Sequence, residues 1–259
     1  NKKLQINKCH CLYKWVFMLA LPIVLQNVIS FSVGLADNLM VGSLGELALS
    51  GVYVANQLQN MLQMLVMGLS AALTILTTQY WGKRDIERIK NIIGIALKFS
   101  IGAGFLLLIA TLFFPSQILR FFSDDFDVIA EGLKYLRIIR FTYIFFCITQ
   151  VLIASMRSVE KVKIGMNLSI VTFFVNVFLN WVFIFGNLGA PALGVQGAAI
   201  ATLISRILET VIMVCYIRFV DSNLKIKFKE LVKSDFSLVK DFFKFGLPVI
   251  LGDIFGELT

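Results

Sequence analysis

Asp37 is the residue whose surroundings most demand a chemical explanation. It lies in Ser32-Val33-Gly34-Leu35-Ala36-Asp37-Asn38, late in an apolar run long enough to cross a bilayer. An ionisable side chain at the centre of a membrane helix costs about 2.5–3.5 kcal/mol on insertion scales, so such groups face cavities and partners rather than lipid. At about 100° per residue, Gln26, Ser30 and Asp37 fall within about 40° of one another, giving a polar stripe that ends in a carboxylate. The alternative is that Asp37 caps the run at the outer surface. A second stripe, Thr172, Asn176 and Asn180, recurs every fourth residue among Ile, Val, Phe and Leu. Amides in lipid need partners on other helices, whether as interhelical glue or as part of a site. Together the stripes offer one carboxylate and several neutral oxygens, a donor set suited to a small hard cation or to a proton held on the acid.

The elements that must position these residues are membrane spans. Of 259 residues 58% are hydrophobic, 24 are Phe, charged residues make up 15%, and mean hydropathy is +0.83. A soluble domain is about 45–50% apolar and about a quarter charged, so this surplus has to be absorbed by lipid. Apolar stretches cover 15–36, 51–79, 92–114, 135–156, 164–186, 196–217 and 242–259. The first six reach the ~20 residues that a helix needs to cross the hydrocarbon. Continuous runs of this kind are unlike the short alternating segments of a membrane β-barrel. The first run is too long for a signal peptide and lacks a small-residue cleavage site. The expected fold is an all-α integral membrane protein with a six-helix transmembrane bundle. Its expected divisions are an N-terminal segment at 1–14, a helical lobe at 15–217, a connecting loop at 218–241 and a further helix from 242.

Net charge is +8, and its distribution is periodic. Basic residues gather at Lys2, Lys3, Lys8 and Lys14, then at Lys83, Arg84, Arg88 and Lys90. They return at Arg157, Lys161 and Lys163, and finally across Arg218 to Lys244. The intervening loops carry Glu46, then Arg120 with Asp124, Asp125 and Asp127, then an uncharged Gly186–Gly197. The positive-inside rule places the N-terminus and the 218–241 loop in the cytoplasm of a multi-pass protein of the cell inner membrane. Charges spread over separate loops form no patch for nucleic acid. Cys9-His10-Cys11 falls short of the four ligands of a structural zinc site, and free thiols on the reducing side are expected. No HExxH, P-loop or GxSxG element is present, so neither enzyme chemistry nor a cofactor is expected.

Other polar residues in the spans have simpler readings. Arg206 and Glu209, three apart, are expected to pair on one face. Lys134, Arg137 and Arg140 can snorkel from the outer end of the fourth run. Met61, Met64 and Met67 serve packing, although flexible Met surfaces also suit promiscuous binders, and Met64 is retained as a candidate lining residue.

Leu21-Pro22-Ile23-Val24-Leu25 returns as Leu247-Pro248-Val249-Ile250-Leu251, with Lys14-Trp15-Val16-Phe17 echoed by Lys240-Asp241-Phe242-Phe243. An internal copy of a span marks the opening of a second structural repeat, a common construction in transporters. The chain is therefore expected to be roughly half of a transporter.

Four regions carry a more specific likeness: Leu21-Pro22 with Asp37-Asn38-Leu39-Met40-Val41-Gly42 and Leu47-Ala48-Leu49-Ser50-Gly51; Gly68-Leu69-Ser70-Ala71-Ala72 running to Gln79-Tyr80-Trp81-Gly82-Lys83-Arg84-Asp85; Arg157-Ser158 with Lys163; and Asn176-Val177-Phe178-Leu179-Asn180 through Gly186 and Gly194-Val195 to Gly197-Ala198-Ala199-Ile200-Ala201-Thr202. In this order they resemble the multidrug and toxic compound extrusion (MATE) transporters. The resemblance implies two six-helix lobes related by a pseudo-twofold axis and a central cleft opening to each side in turn. It also implies export of cationic amphipathic compounds in exchange for H+ or Na+. The implied N-lobe cation site falls on Asp37, Asn176, Asn180 and Thr202, with Gln26, Ser30, Thr172 and Met64 as candidate substrate-lining residues. A helix-seven glutamate used by some relatives falls on Glu257. Two departures stand out. Asn180 replaces an aspartate of several relatives, leaving Asp37 as the lone acid, and Glu160 stands where many members have glycine.

Two other function classes fit the composition. A flippase for lipid-linked saccharides would need a cleft lined by cations to hold a pyrophosphate. A non-transporting membrane scaffold would explain the apolar content but not the two stripes. The implied partners are small cationic or amphipathic molecules, the bilayer and a second lobe, without which a half-cleft is not expected to transport.

Overall fold

An apolar run in lipid has to satisfy its backbone N–H and C=O groups within itself, and the helix does so. The computed structural model describes residues 2–221, 224, 238–245 and 248, with side chains from residue 16 onward. The described helices are α1 (Lys2–Gly42), α2 (Glu46–Gly82), α3 (Ile86–Phe113), α4 (Pro115–Arg120), α5 (Phe126–Ile139), α6 (Thr142–Ser158), α7 (Lys163–Phe185) and α8 (Val195–Cys215), with a π-turn over Tyr216–Val220 and a helical stretch at 238–245. Glu257, most of the 218–241 loop and the side chains of Cys9, His10 and Cys11 lie outside the described residues.

Among the described residues five helices are long and apolar enough to cross a membrane, and α5 with α6, bent by 57°, makes a sixth when the pair is counted as one span. This corrects the single fourth run expected at 135–156. The break falls at Arg140–Phe141, where Thr142 Oγ1 donates to the Ile139 carbonyl at 2.6 Å and the Arg140 guanidinium donates to the Thr111 carbonyl of α3 at 3.3 Å. Side chains thus take over carbonyls at the bend. With neither Pro nor Gly at the break, periodicity alone gives no warning of it. Arg140, half-buried, thus has a partner within the protein. Asp124, Asp125 and Asp127 are all exposed, and Asp125 caps α5, accepting from the backbone N–H of Asp127 at 2.9 Å.

The buried apolar residues form two clusters. One gathers Leu73, Ile92, Ile153 and Met213 from α2, α3, α6 and α8. The other gathers Val52, Leu119, Leu136, Tyr143 and Ala199 from α2, α4, α5, α6 and α8. Along α6, α7 and α8 the buried polar residues Thr149, Asn176, Asn180, Glu209 and Thr210 fall between the stretches that feed these clusters, and Thr149 Oγ1 meets Thr210 Oγ1 at 2.9 Å. α1 packs chiefly on α7, and its remaining surface leaves Phe17, Phe31 and Leu39 exposed.

Two backbone positions show why particular residues are needed. At the α2–α5 crossing a Cβ on Gly51 would stand 2.7 Å from the Gly132 N atom, so the helices touch backbone to backbone. In the turn after α6, Glu160 adopts φ 65°, a left-handed conformation in which a side chain is strained and glycine is not. Glycine, which the resemblance leads one to expect at this place, would adopt that conformation without strain.

Two stability changes are expected. Gly51→Val forces α2 and α5 apart, lowering stability by about 1–3 kcal/mol, while Glu160→Gly relieves strain and raises it by up to about 1 kcal/mol. Thermal unfolding of the purified protein in detergent checks both signs.

Candidate functional site

The i, i+4 spacing on α7 turns Thr172, Asn176 and Asn180 to one face, where all three are buried. α1 lies along α7 and brings half-buried Asp37, five residues from its own end, onto this face. Asn180 Nδ2 donates to Asp37 Oδ1, and also to Asn176 Oδ1 at 3.2 Å. Asn176 Nδ2 reaches Thr202 Oγ1 on α8 at 3.5 Å, the long limit of a hydrogen bond. A polar chain therefore runs from Asp37 through two amides to a hydroxyl, joining α1, α7 and α8. Thr172 is used locally, donating to the Leu168 carbonyl at 2.6 Å. Asp37 faces protein, not the surface position of a cap.

Asp37, Thr172, Asn176 and Thr202 border a cavity of about 360 Å³, within the ~300–1,000 Å³ range of small-molecule sites, with Asn180 buried behind Asp37 and Asn176. Asp37, Ser30 and Asn38 line it from α1, Asn56, Gln59 and Asn60 from α2, and Tyr135 from α5. Thr172 and Asn176 of α7 and Thr202, Arg206 and Glu209 of α8 complete the wall. Arg206 Nη1 donates to Glu209 Oε2 at 2.8 Å, and its guanidinium sits 5.4 Å from the centre of the Phe146 ring. That pair is neutral as a unit, so Asp37, when ionised, gives the cavity one net negative charge.

The donor set fits a small cation. Among the described residues no three His, Cys, Asp or Glu side chains cluster as a transition-metal site would require. What is offered instead is a carboxylate, amide and hydroxyl oxygens, and the Asn180 Oδ1 atom, buried and accepting from nothing. An open acceptor on the amide that binds the carboxylate is costly when empty and useful when a proton or hard cation arrives.

Some expected members lie elsewhere. Gln26 shares the stripe by angle but not the cavity: its Oε1 accepts from Arg157 Nη2 at 2.8 Å. Gly165 of α7 makes room for it, since a Cβ there would stand 2.6 Å from that oxygen. Met64 is half-buried and lines neither this cavity nor the neighbouring one. Conversely, Asn56, Gln59, Asn60 and Tyr135 were not anticipated. A third stripe of Asn56, Asn60 and Gln63 on α2, at i, i+4 and i+7, was the readable signal for two of them.

Residues 22–182 match the MatE family model. The chain belongs to the MatE family. It is 27% identical over 238 residues to the probable multidrug resistance protein NorM of Thermotoga maritima, covering 92% of this chain and 51% of that protein. It is 28% identical over 245 residues to the probable multidrug resistance protein YoeA of Bacillus subtilis, covering 92% and 52%. Among solved structures, an outward-facing multidrug resistance MATE transporter of the MOP superfamily superposes with TM-score 0.82 at 23% identity, over 93% of this chain and 52% of the other. A MATE structure in the straight conformation gives the same score and identity over 93% and 53%. The chain thus spans about half the length of the relatives it matches, and its fold is that of one MATE lobe.

The asymmetry between breaking and replacing a buried polar pair gives a test of the Asp37–Asn180 contact in this MATE lobe. Asn180→Leu strands the carboxylate and is expected to cost about 1–3 kcal/mol, whereas adding Asp37→Leu removes both partners and recovers most of the loss. Unfolding midpoints of the wild type, both single variants and the double variant complete the cycle.

Proposed function

We propose that this chain is the N-terminal lobe of a secondary multidrug exporter that exchanges cationic amphipathic compounds for H+ or Na+ by alternating access. The observation that carries the reading is Asp37 held by Asn180 at a cavity of one net negative charge. Membership of a family whose matched relatives are called multidrug resistance proteins supports it.

The exchange follows from charge. A carboxylate withdrawn from water needs a positive partner or strong donors. Asn180 supplies a charge-assisted hydrogen bond, worth about 1.5–3 kcal/mol. A full positive charge about 4 Å away at an effective dielectric near 20 is worth ~4 kcal/mol. A cation can therefore displace the amide as the partner of Asp37, and a proton can cancel the charge outright. Substrate cation and coupling ion compete for one carboxylate, so arrival of one expels the other. The binding event also changes what ties α1 to α7. Pro22 removes one backbone rung from α1, and the exposed apolar side chains of that helix leave it lightly packed, so α1 is the element suited to respond. A second lobe would close the cleft, and the basic residues at the turns after α2 and α6 support a reading with those ends and the N-terminus on the cytoplasmic side.

A pyrophosphate-flipping reading receives less support at this site. Arg206 is engaged by Glu209 and Arg140 by a backbone carbonyl, and Arg157, on the neighbouring cavity, is a single guanidinium where a diphosphate calls for several cations.

Asp37→Asn in the full-length transporter keeps size and hydrogen bonding but removes the charge. Efflux of a lipophilic cation from proteoliposomes bearing an imposed pH or sodium gradient is expected to fall to background. Wild-type exchange by the variant would remove Asp37 from the coupling role.

A further inference from the structure

A second cavity, of about 780 Å³, adjoins the first, and Ser30, Ser169, Arg206 and Glu209 line both. Its charge is reversed. The charged side chains on its wall are Arg157, Arg206 and Glu209, and Arg206 is already paired with Glu209. Arg157 remains, a half-buried guanidinium at the last turn of α6. Its partner among the described residues is a neutral amide, Gln26 Oε1 at 2.8 Å, and its Nε is buried with no acceptor. Guanidinium groups withdrawn from water are ordinarily met by carboxylates or phosphates, often by two parallel hydrogen bonds. Here the protein supplies a neutral oxygen in place of the anion. Amides of Gln63 and Gln150 border the same space, alongside the apolar Val66 and Phe146.

We propose that Arg157 is an anion subsite, and that the substrate class includes bipolar amphiphiles whose ammonium end sits at Asp37 and whose carboxylate end sits at Arg157. The proposal rests on the exporter reading above and adds to it a second point of recognition of opposite sign. Geometry sets the spacing. Gln26, which holds Arg157, and Asp37 lie eleven residues apart on α1, or about 16 Å along a straight helix. A molecule of that length would cross from one cavity to the other past Ser30, Ser169 and the neutral Arg206–Glu209 pair, and the apolar Val66 and Phe146 of the second cavity would flank part of its chain. The Asp37 end keeps its competition with the coupling ion, while the Arg157 end contributes affinity and selects for an acid at the far end.

ω-Aminododecanoate and its methyl ester are suitable probes, since they share the ammonium and the chain and differ in the carboxylate. Their dissociation constants for the full-length transporter in phosphatidylcholine nanodiscs are measured by calorimetry, together with that of tetraphenylphosphonium, a cation with no acid. The wild type is expected to favour the amino acid over the ester by about tenfold, the scale of one charge-assisted hydrogen bond. Arg157→Gln should erase that preference while leaving tetraphenylphosphonium binding intact, which also shows the variant folded. Arg157→Lys keeps the charge and should retain part of the preference. A preference unchanged in Arg157→Gln overturns the subsite. So does a wild type with no preference at all, or one in which anionic phosphatidylglycerol, rather than the amino acid, binds in an Arg157-dependent way. Tetraphenylphosphonium binding that ignores Asp37→Asn would instead sink the exporter reading on which the proposal stands.

Discussion

A carboxylate set among membrane helices has to be answered by a partner, and the lobe is arranged around that requirement. Asp37 lies on α1, the most exposed helix of the bundle, and its answering group, Asn180, lies on α7, buried. The bond is therefore both an electrostatic necessity and a clasp between a lightly held helix and a firmly packed one. Replacing a neutral donor with a charge at this point changes the strength of the clasp, which is how a single ion can act on the position of a helix.

The rest of the lobe isolates this polar chain. Two apolar clusters flank it, one around Leu73, Ile92 and Met213 and one around Val52, Leu136 and Tyr143. Between them buried hydroxyls and amides find partners on neighbouring helices, as Thr149 and Thr210 do. Close crossings such as Gly51 on Gly132 hold the frame rigid while α1 keeps little contact beyond α7. A bundle in which one helix rests chiefly on a single neighbour is what the proposed exchange would act on.

Much of this was legible in the residues because polar groups in lipid are expensive and so conspicuous. Asp37, Asn176 and Asn180 could be picked out by cost and spacing, and the structure sets them in one hydrogen-bonded chain. Angle on a helix does not reveal the partner, however. Gln26 shares the face of Asp37 yet turns to Arg157, so the middle of α1 serves one cavity and its last turns the other. The bend at Arg140–Phe141 was hidden because Thr142 and Arg140 make it with side chains, without Pro or Gly. The oddity of Glu160 was visible, but its cause, a left-handed turn, is a backbone property that needed coordinates. Arg157 lay in a basic loop pattern that orientation already explained, so its half-buried place beside a polar cavity went unread.

The central claim is that one carboxylate holds one positive species at a time. Equilibrium binding of a lipophilic cation to the purified full-length protein, titrated at a series of sodium concentrations and pH values, tests it most directly. The account predicts pure competition with whichever ion couples: the apparent dissociation constant climbs without limit as that ion rises, and the number of sites stays fixed. A dissociation constant that levels off, with cation and coupling ion bound together, would contradict it.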